Sequence, residues 1–234
     1  MEAAVAAAGA AEEQEQMDGK IVLGTMDRLY IAISGLIGAG KSTLCRSLAE
    51  HLNLDDYYEP VEQNEYLEQF YKDQKSFAFP MQIYLLNKRI AQQQRIAWSE
   101  RGVVQDRSIY EDRVFCRWLV RSGAMTEQDY RTYNELVKNV SNTMRSPSII
   151  VHLDVSPEES LRRIRARGRE CESGITLEYL TMLHEEYQKF IREISKVIPV
   201  FRVDWSEFQS TEDVARAITQ RYKDMYHIHN ISFP

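Results

Sequence analysis

Gly35, Gly40, Lys41 and Ser42 stand in the spacing G-x4-G-K-[ST] within "ISGLIGAGKST", the pattern of a phosphate-cradling loop. Glycines let the backbone fold tightly enough for successive N–H groups to point inward at an anion, and a following helix adds its dipole. Gly35, Gly38, Ala39 and Gly40, with Lys41, Ser42 and Thr43, would wrap the tail of a nucleotide such as ATP. Lys41 would bridge the terminal phosphates and Ser42 would reach a Mg²⁺ ion. Such a loop recognises the phosphate donor and leaves the acceptor to be read elsewhere.

Other residues supply acceptor chemistry. Glu59 ends the apolar stretch before "PV", where a carboxylate beyond a strand can take the proton of an attacking hydroxyl. In "QDRSIYEDR", Asp106 can reach Mg²⁺ and Arg107 can orient Glu59 and neutralise phosphoryl charge. "RRIRARGRE" concentrates arginines in an otherwise acidic chain. Arg163 and Arg167 share a helix face and Arg169 follows a possible hinge at Gly168, so a lid over about 163–173 would close on the donor's phosphates. Gln82 and Arg89, seven residues apart, return to one side of a helix. A planar amide there can pair with a donor and an acceptor on a base edge.

These groups need strands and helices to hold them. Apolar β-rich runs recur at 28–34, 102–106, 148–155 and 198–204, with a weaker one at 54–60. Helical periodicity fills 77–100 and 175–197, and the alternation predicts an α/β fold around a parallel sheet. Ser156-Pro157 reads as a helix start and Gly123 as a stop.

Composition narrows the partners. A formal net charge of -6 lacks the basic footprint of a nucleic-acid binder, and no apolar run approaches the roughly 18 residues of a membrane span. Small-molecule partners are favoured. The 3 cysteines, Cys45, Cys116 and Cys171, are too few and too scattered for a disulfide framework or zinc site, and Cys45 and Cys116 read as core thiols. Residues 1–24 read as a mobile tail and 25–234 as one domain. The first 16 residues carry no Arg or Lys, unlike a mitochondrial transit peptide, so the expected address is the cytoplasm.

Taken together, residues 28–225 resemble the deoxyribonucleoside kinase family. The resemblance rests on the loop "GLIGAGKST", "EPV", a Tyr eleven residues before a Gln, the Asp-Arg-Ser triplet and the R-x3-R-x-R lid. "NEYLEQFYKD", "FAFPMQIYLLNKR" and "DRSIYED" are most similar to its deoxyadenosine and deoxyguanosine kinases. The resemblance implies a five-stranded parallel sheet flanked by helices, a homodimer, and transfer of the γ-phosphate of ATP, with Mg²⁺, to the 5′-hydroxyl of a deoxynucleoside. It makes Glu59 the general base and Arg107 its partner. Tyr71 and Glu172 hold the 3′-hydroxyl, Gln82, Arg89 and Asp112 read the base, and "VDWSEF" lies under the donor's adenine. Asp106 stands where animal members carry Glu, one methylene longer, and Met81 replaces an aromatic residue that often precedes the Gln. Stacking on the base then falls partly to Phe115, with Cys116 as the other residue that could face it. A purine deoxynucleoside is the expected preference, with deoxycytidine as alternative. The rival readings are a nucleoside monophosphate kinase, which would need extra basic groups for the acceptor's phosphate, and a catalytically silent structural relative.

Overall fold

The computed structural model describes residues 29–58 and 64–225. Strands β1 (Tyr30–Gly35), β2 (Asp55–Tyr57), β3 (Val103–Asp106), β4 (Ile149–Asp154) and β5 (Val200–Asp204) form one sheet of order β2-β3-β1-β4-β5. Every pairing is parallel, as the near-continuous apolar runs require. Among the described residues the α-helices are α1 (Lys41–Leu52), α2 (Leu67–Lys72), α3 (Gln74–Trp98), α4 (Asp112–Arg121), α5 (Glu127–Ser141), α6 (Pro157–Arg167), α7 (Leu177–Ile194) and α8 (Thr211–Met225).

β1 turns Tyr30 and Ala32 to one core and Ile31 and Ile33 to the other, the two-residue period of a pleated strand. The first core takes Leu86 and Ile96 of α3, Val114 and Trp118 of α4, and Leu183, Tyr187 and Phe190 of α7. The second joins Leu44 and Leu48 of α1 to Val214, Ile218 and Tyr222 of α8. Each fully buried Leu or Phe contributes about 1.5–3 kcal/mol by leaving water, so the sheet is clamped from both sides.

Local signals operate as expected. Ser156 Oγ accepts the Glu159 N–H at 3.2 Å and Pro157 opens α6. Gly168 ends α6 at φ 68° and Gly123 follows α4 at φ 74°. The predicted strands are all present, but β2 stops at Tyr57, short of the expected 54–60. It pairs with β3 alone, and an edge strand opening on two aspartates has little apolar surface to extend its pairing. Glu59 and the 1–24 tail lie outside the described residues. The segment expected to begin a lid near 163 is helical through Arg167, because the Ser-Pro start and the Ile164 core contact hold it against the body. Only the stretch beyond Gly168 departs from the helix.

Candidate active site

The P-loop joins the end of β1 to α1. β1 lies between β3 and β4, the switch point of the sheet, where a crevice opens beyond the carboxyl ends. Gly38 and Gly40 adopt φ of 78° and 89°, a region strained for other residues. A Cβ on Gly38 would sit 2.8 Å from Ile164 Cγ1 and 2.9 Å from the Ser160 carbonyl oxygen, so α6 packs directly on the loop. Ser160 Oγ also donates to the Ile37 carbonyl at 2.5 Å. Inside this frame Lys41 is buried, its ammonium donating to the Leu36 carbonyl at 2.7 Å. Ser42 Oγ donates to Asp106 Oδ2 at the end of β3. Asp106 Oδ1 is buried without a hydrogen-bond partner.

Helix α3 presents Gln82 and Arg89 from one side, each 2% exposed. Arg89 Nε donates to Asp112 Oδ1 at 2.6 Å and its Nη1 to the Arg107 carbonyl at 3.1 Å. Cys116 Sγ donates to Gln82 Oε1 at 3.5 Å. Arg107 sits in left-handed backbone at φ 66°, at a cost of roughly 1–3 kcal/mol for a residue with a side chain. Its N–H donates to the Ile33 carbonyl at 3.0 Å. Its Nη1 donates to Glu111 and, at 2.6 Å, to the Tyr187 hydroxyl. The guanidinium lies 4.8 Å from the Phe115 ring centroid. Burial pushes the Tyr187 phenol far above its ordinary value, so it stays a proton donor. The same cause raises the Cys45 and Cys116 thiols, which removes both as nucleophiles at neutral pH.

The lid arginines divide. Arg167 Nη2 donates to both Glu172 carboxylate oxygens at 2.8 and 2.6 Å, and Arg169 Nη1 lies 3.6 Å from Glu172 Oε1. Arg163 instead reaches the Ala39 carbonyl at 3.4 Å and the Trp205 and Ser206 carbonyls at 2.8 and 3.0 Å. Its guanidinium stands 4.3 Å from the Phe208 ring centroid. It therefore ties the P-loop to the "VDWSEF" loop.

One cavity of about 560 Å³ gathers these parts, a volume within the ordinary range for small-molecule sites. Gly38, Lys41 and Ser42 line its donor end; Tyr71, Gln82, Arg89, Asp106, Arg107, Asp112 and Phe115 form the acceptor wall; Arg167, Arg169 and Glu172 flank the lid. Phe115 lines the cavity, whereas Cys116 stands behind Gln82. Gly35, Ala39, Gly40, Thr43 and Arg163 are not in the lining: the first three shape the loop, Thr43 is exposed in α1, and Arg163 braces the loop from behind. Sequence reasoning missed Glu111 and Tyr187. Glu111 stands four residues after Arg107, a spacing that pairs charges on a helix, but no helix was expected there. Tyr187 carries no local signal at all. Also unforeseen were Arg46 and Trp118 in the lining.

A P-loop at the switch point of a parallel sheet, opening on a cavity with an amide-bearing acceptor wall, defines a P-loop phosphotransferase for a small acceptor. Comparison with known proteins narrows this. Residues 31–227 match the family model described as deoxynucleoside kinase. The chain is 50% identical over 216 residues to a deoxyadenosine kinase of Dictyostelium discoideum, covering 92% of this chain and 88% of that one. It is 35% identical to a deoxyadenosine/deoxycytidine kinase of Bacillus subtilis, over 78% of this chain and 85% of that one. A solved deoxyadenosine kinase from M. mycoides, with products dCMP and dCDP bound, superposes with a TM-score of 0.75 at 33% identity, covering 84% of this chain and all of that one. The chain belongs to the deoxynucleoside kinase family. Its activity is that of a deoxynucleoside kinase taking phosphate from a nucleotide donor.

Proposed function

We propose that the chain transfers the γ-phosphate of ATP to the 5′-hydroxyl of deoxyadenosine in preference to other deoxynucleosides. The observation that carries this is the acceptor wall: Gln82 and the Arg89–Asp112 pair line the cavity that also contains Lys41 and Ser42. The Gln82 amide offers a donor and an acceptor to a purine edge, and beside it stands the buried Arg89–Asp112 ion pair. The Dictyostelium relative's name points to the same base. Deoxycytidine is the second substrate in this reading, favoured by the B. subtilis relative and by the dCMP held in the M. mycoides neighbour.

Phosphoryl transfer of this kind rests on positioning and charge neutralisation. Glu59 accepts the proton of the 5′-hydroxyl, and Arg107 orients Glu59 and faces the transferring phosphate. Tyr71 and Glu172 hold the 3′-hydroxyl, which requires Glu172 to exchange its present pairing with Arg167. Phe115 packs beside the base. Lys41, with the P-loop amides from Gly35 to Thr43, binds the donor's phosphates, joined by Arg167 and Arg169 when the lid closes. Arg163 braces that loop. The residues present fit Mg²⁺: Ser42 Oγ and the partnerless, buried Asp106 Oδ1 are hard oxygen donors on adjoining elements, suited to a cation that takes its other ligands from water and phosphate. Bound there, Mg²⁺ supplies charge neutralisation on the phosphate oxygens.

In this reading the enzyme acts in the cytoplasm as a homodimer. No described helix is long and apolar enough to cross a membrane. Light scattering should give twice the mass of one chain. The decisive experiment is turnover of the four natural deoxynucleosides with ATP and Mg²⁺, in the wild type and in Glu59→Gln. Deoxyadenosine should give the highest kcat/KM, and Glu59→Gln should lower kcat by about 10²- to 10⁴-fold with little change in nucleoside affinity. Thymidine as best substrate, or an unimpaired Glu59 variant, would refute the assignment.

A further inference from the structure

Glu111 is 1% exposed and lies immediately before the first turn of α4. A carboxylate taken so far from water needs a cation and hydrogen bonds to remain charged. One oxygen, Oε1, receives both, while Oε2 is buried without a hydrogen-bond partner. Arg107 Nη1 donates to Glu111 Oε1 and to the Tyr187 hydroxyl, and that hydroxyl donates in turn to the same Glu111 oxygen. Three groups from β3's end, α4's start and α7 thus close a triangle around one nitrogen of an arginine that lines the cavity. We propose that Glu111 is a positioning residue for phosphoryl transfer: with Tyr187 it aims the Arg107 guanidinium at the reacting phosphate.

Two further observations carry the proposal beyond a structural ion pair. The Arg107 backbone is in the left-handed region, a strained conformation for a residue with a side chain that persists only where the surrounding contacts maintain it. Asp112, the residue after Glu111, pairs with Arg89, and Arg89 donates to the Arg107 carbonyl. Consecutive carboxylates at one helix start therefore fix the arginine's two ends, Glu111 directly and Asp112 through Arg89. Stability alone does not require this arrangement, since buried ion pairs are commonly replaced by apolar groups without loss. An arginine that must keep one orientation does require it. Glu111 touches no reacting atom in this account and acts only through Arg107.

The inference rests on the role given to Arg107 above, and the test separates the two. Glu111→Gln, Tyr187→Phe and Arg107→Ala would be assayed as full-length enzyme with deoxyadenosine, ATP and Mg²⁺, alongside thermal melting and a count of active sites by nucleoside binding. Arg107→Ala should lose about 10²-fold or more in kcat per active site. Glu111→Gln should lose about 10- to 100-fold in kcat with nucleoside KM within about threefold. Tyr187→Phe should lose less, and the double variant should fall little below Glu111→Gln, as members of one network do. A merely structural role would lower melting temperature and active-site count while leaving kcat per site intact. Folded Glu111→Gln and Tyr187→Phe enzymes within twofold of wild-type kcat, beside a crippled Arg107→Ala, would overturn the inference alone. An active Arg107→Ala would overturn the role of Arg107 and the inference with it. Should Glu111→Gln fail to fold, Tyr187→Phe decides by the same criterion.

Discussion

Two sets of arginine–carboxylate pairs bring their arginines to the same cavity. Arg89 and Arg107 on the acceptor wall are 2% and 3% exposed, with partners Asp112 and Glu111 equally buried. Arg167 and Arg169 at the lid are 36% and 41% exposed and share Glu172. The buried pairs are locked where removing one partner strands a charge. At the lid only the arginines are partly solvated, while the carboxylate they share, Glu172, has a side chain 9% exposed, so water screens these pairs from the arginine side alone. The acceptor wall is therefore the more tightly held of the two, and the exchange of partners that the proposed function assigns to Glu172 falls on the more exposed set.

The contrast breaks most sharply at Asp112. Asp112→Ala leaves Arg89 buried without its carboxylate and should destabilise the protein by about 3–5 kcal/mol in urea unfolding. A loss under about 1 kcal/mol would show that the wall is not charge-locked. A second effect comes from His152, buried between Ser34 and the Tyr187 ring, its pKa lowered by burial from 6.5 to about 4. Because the folded value is below the unfolded one, the unfolded chain binds more protons in that window. Stability should then fall as pH drops from about 6.5 toward 4, by roughly 2 kcal/mol between pH 7 and 5 from this group. Chemical denaturation across that range should show the slope, and His152→Asn should flatten it.

Gly38 sharpens the comparison on the donor side, where the loop is held by close packing against α6. Gly38→Ala places a Cβ against Ile164 at a positive φ of 78° and should cost about 1–3 kcal/mol of stability. It should also weaken ATP binding, measurable by calorimetry. The smallest stability effect belongs to the lid. Arg169→Ala should leave stability within about 0.5 kcal/mol while lowering kcat about tenfold or more. A variant that melts early would place the lid with the locked wall.

How far each region could be read in the sequence follows from how local it is. The donor loop is contiguous, and its glycines, lysine and serine carry their geometry in their spacing. Gln82 and Arg89 were also legible, because seven residues bring them to one face of α3. Asp106 and Arg107 were placed by the end of an apolar strand. Arg163 could be counted as a lid residue but not assigned its partners, since the Trp205 and Ser206 carbonyls lie 42 and 43 residues away. Choosing Phe115 over Cys116 for the cavity needed the actual rotation of α4.

The chain alone determined the parallel α/β plan, the phosphate loop and the family, because strand periodicity, glycine freedom and short motifs act within a few residues. Only the tertiary structure decided which charges are buried together. Glu111 and Tyr187 stand 76 residues apart, and the buried carboxylate and arginine meet because α4, α7 and the end of β3 converge.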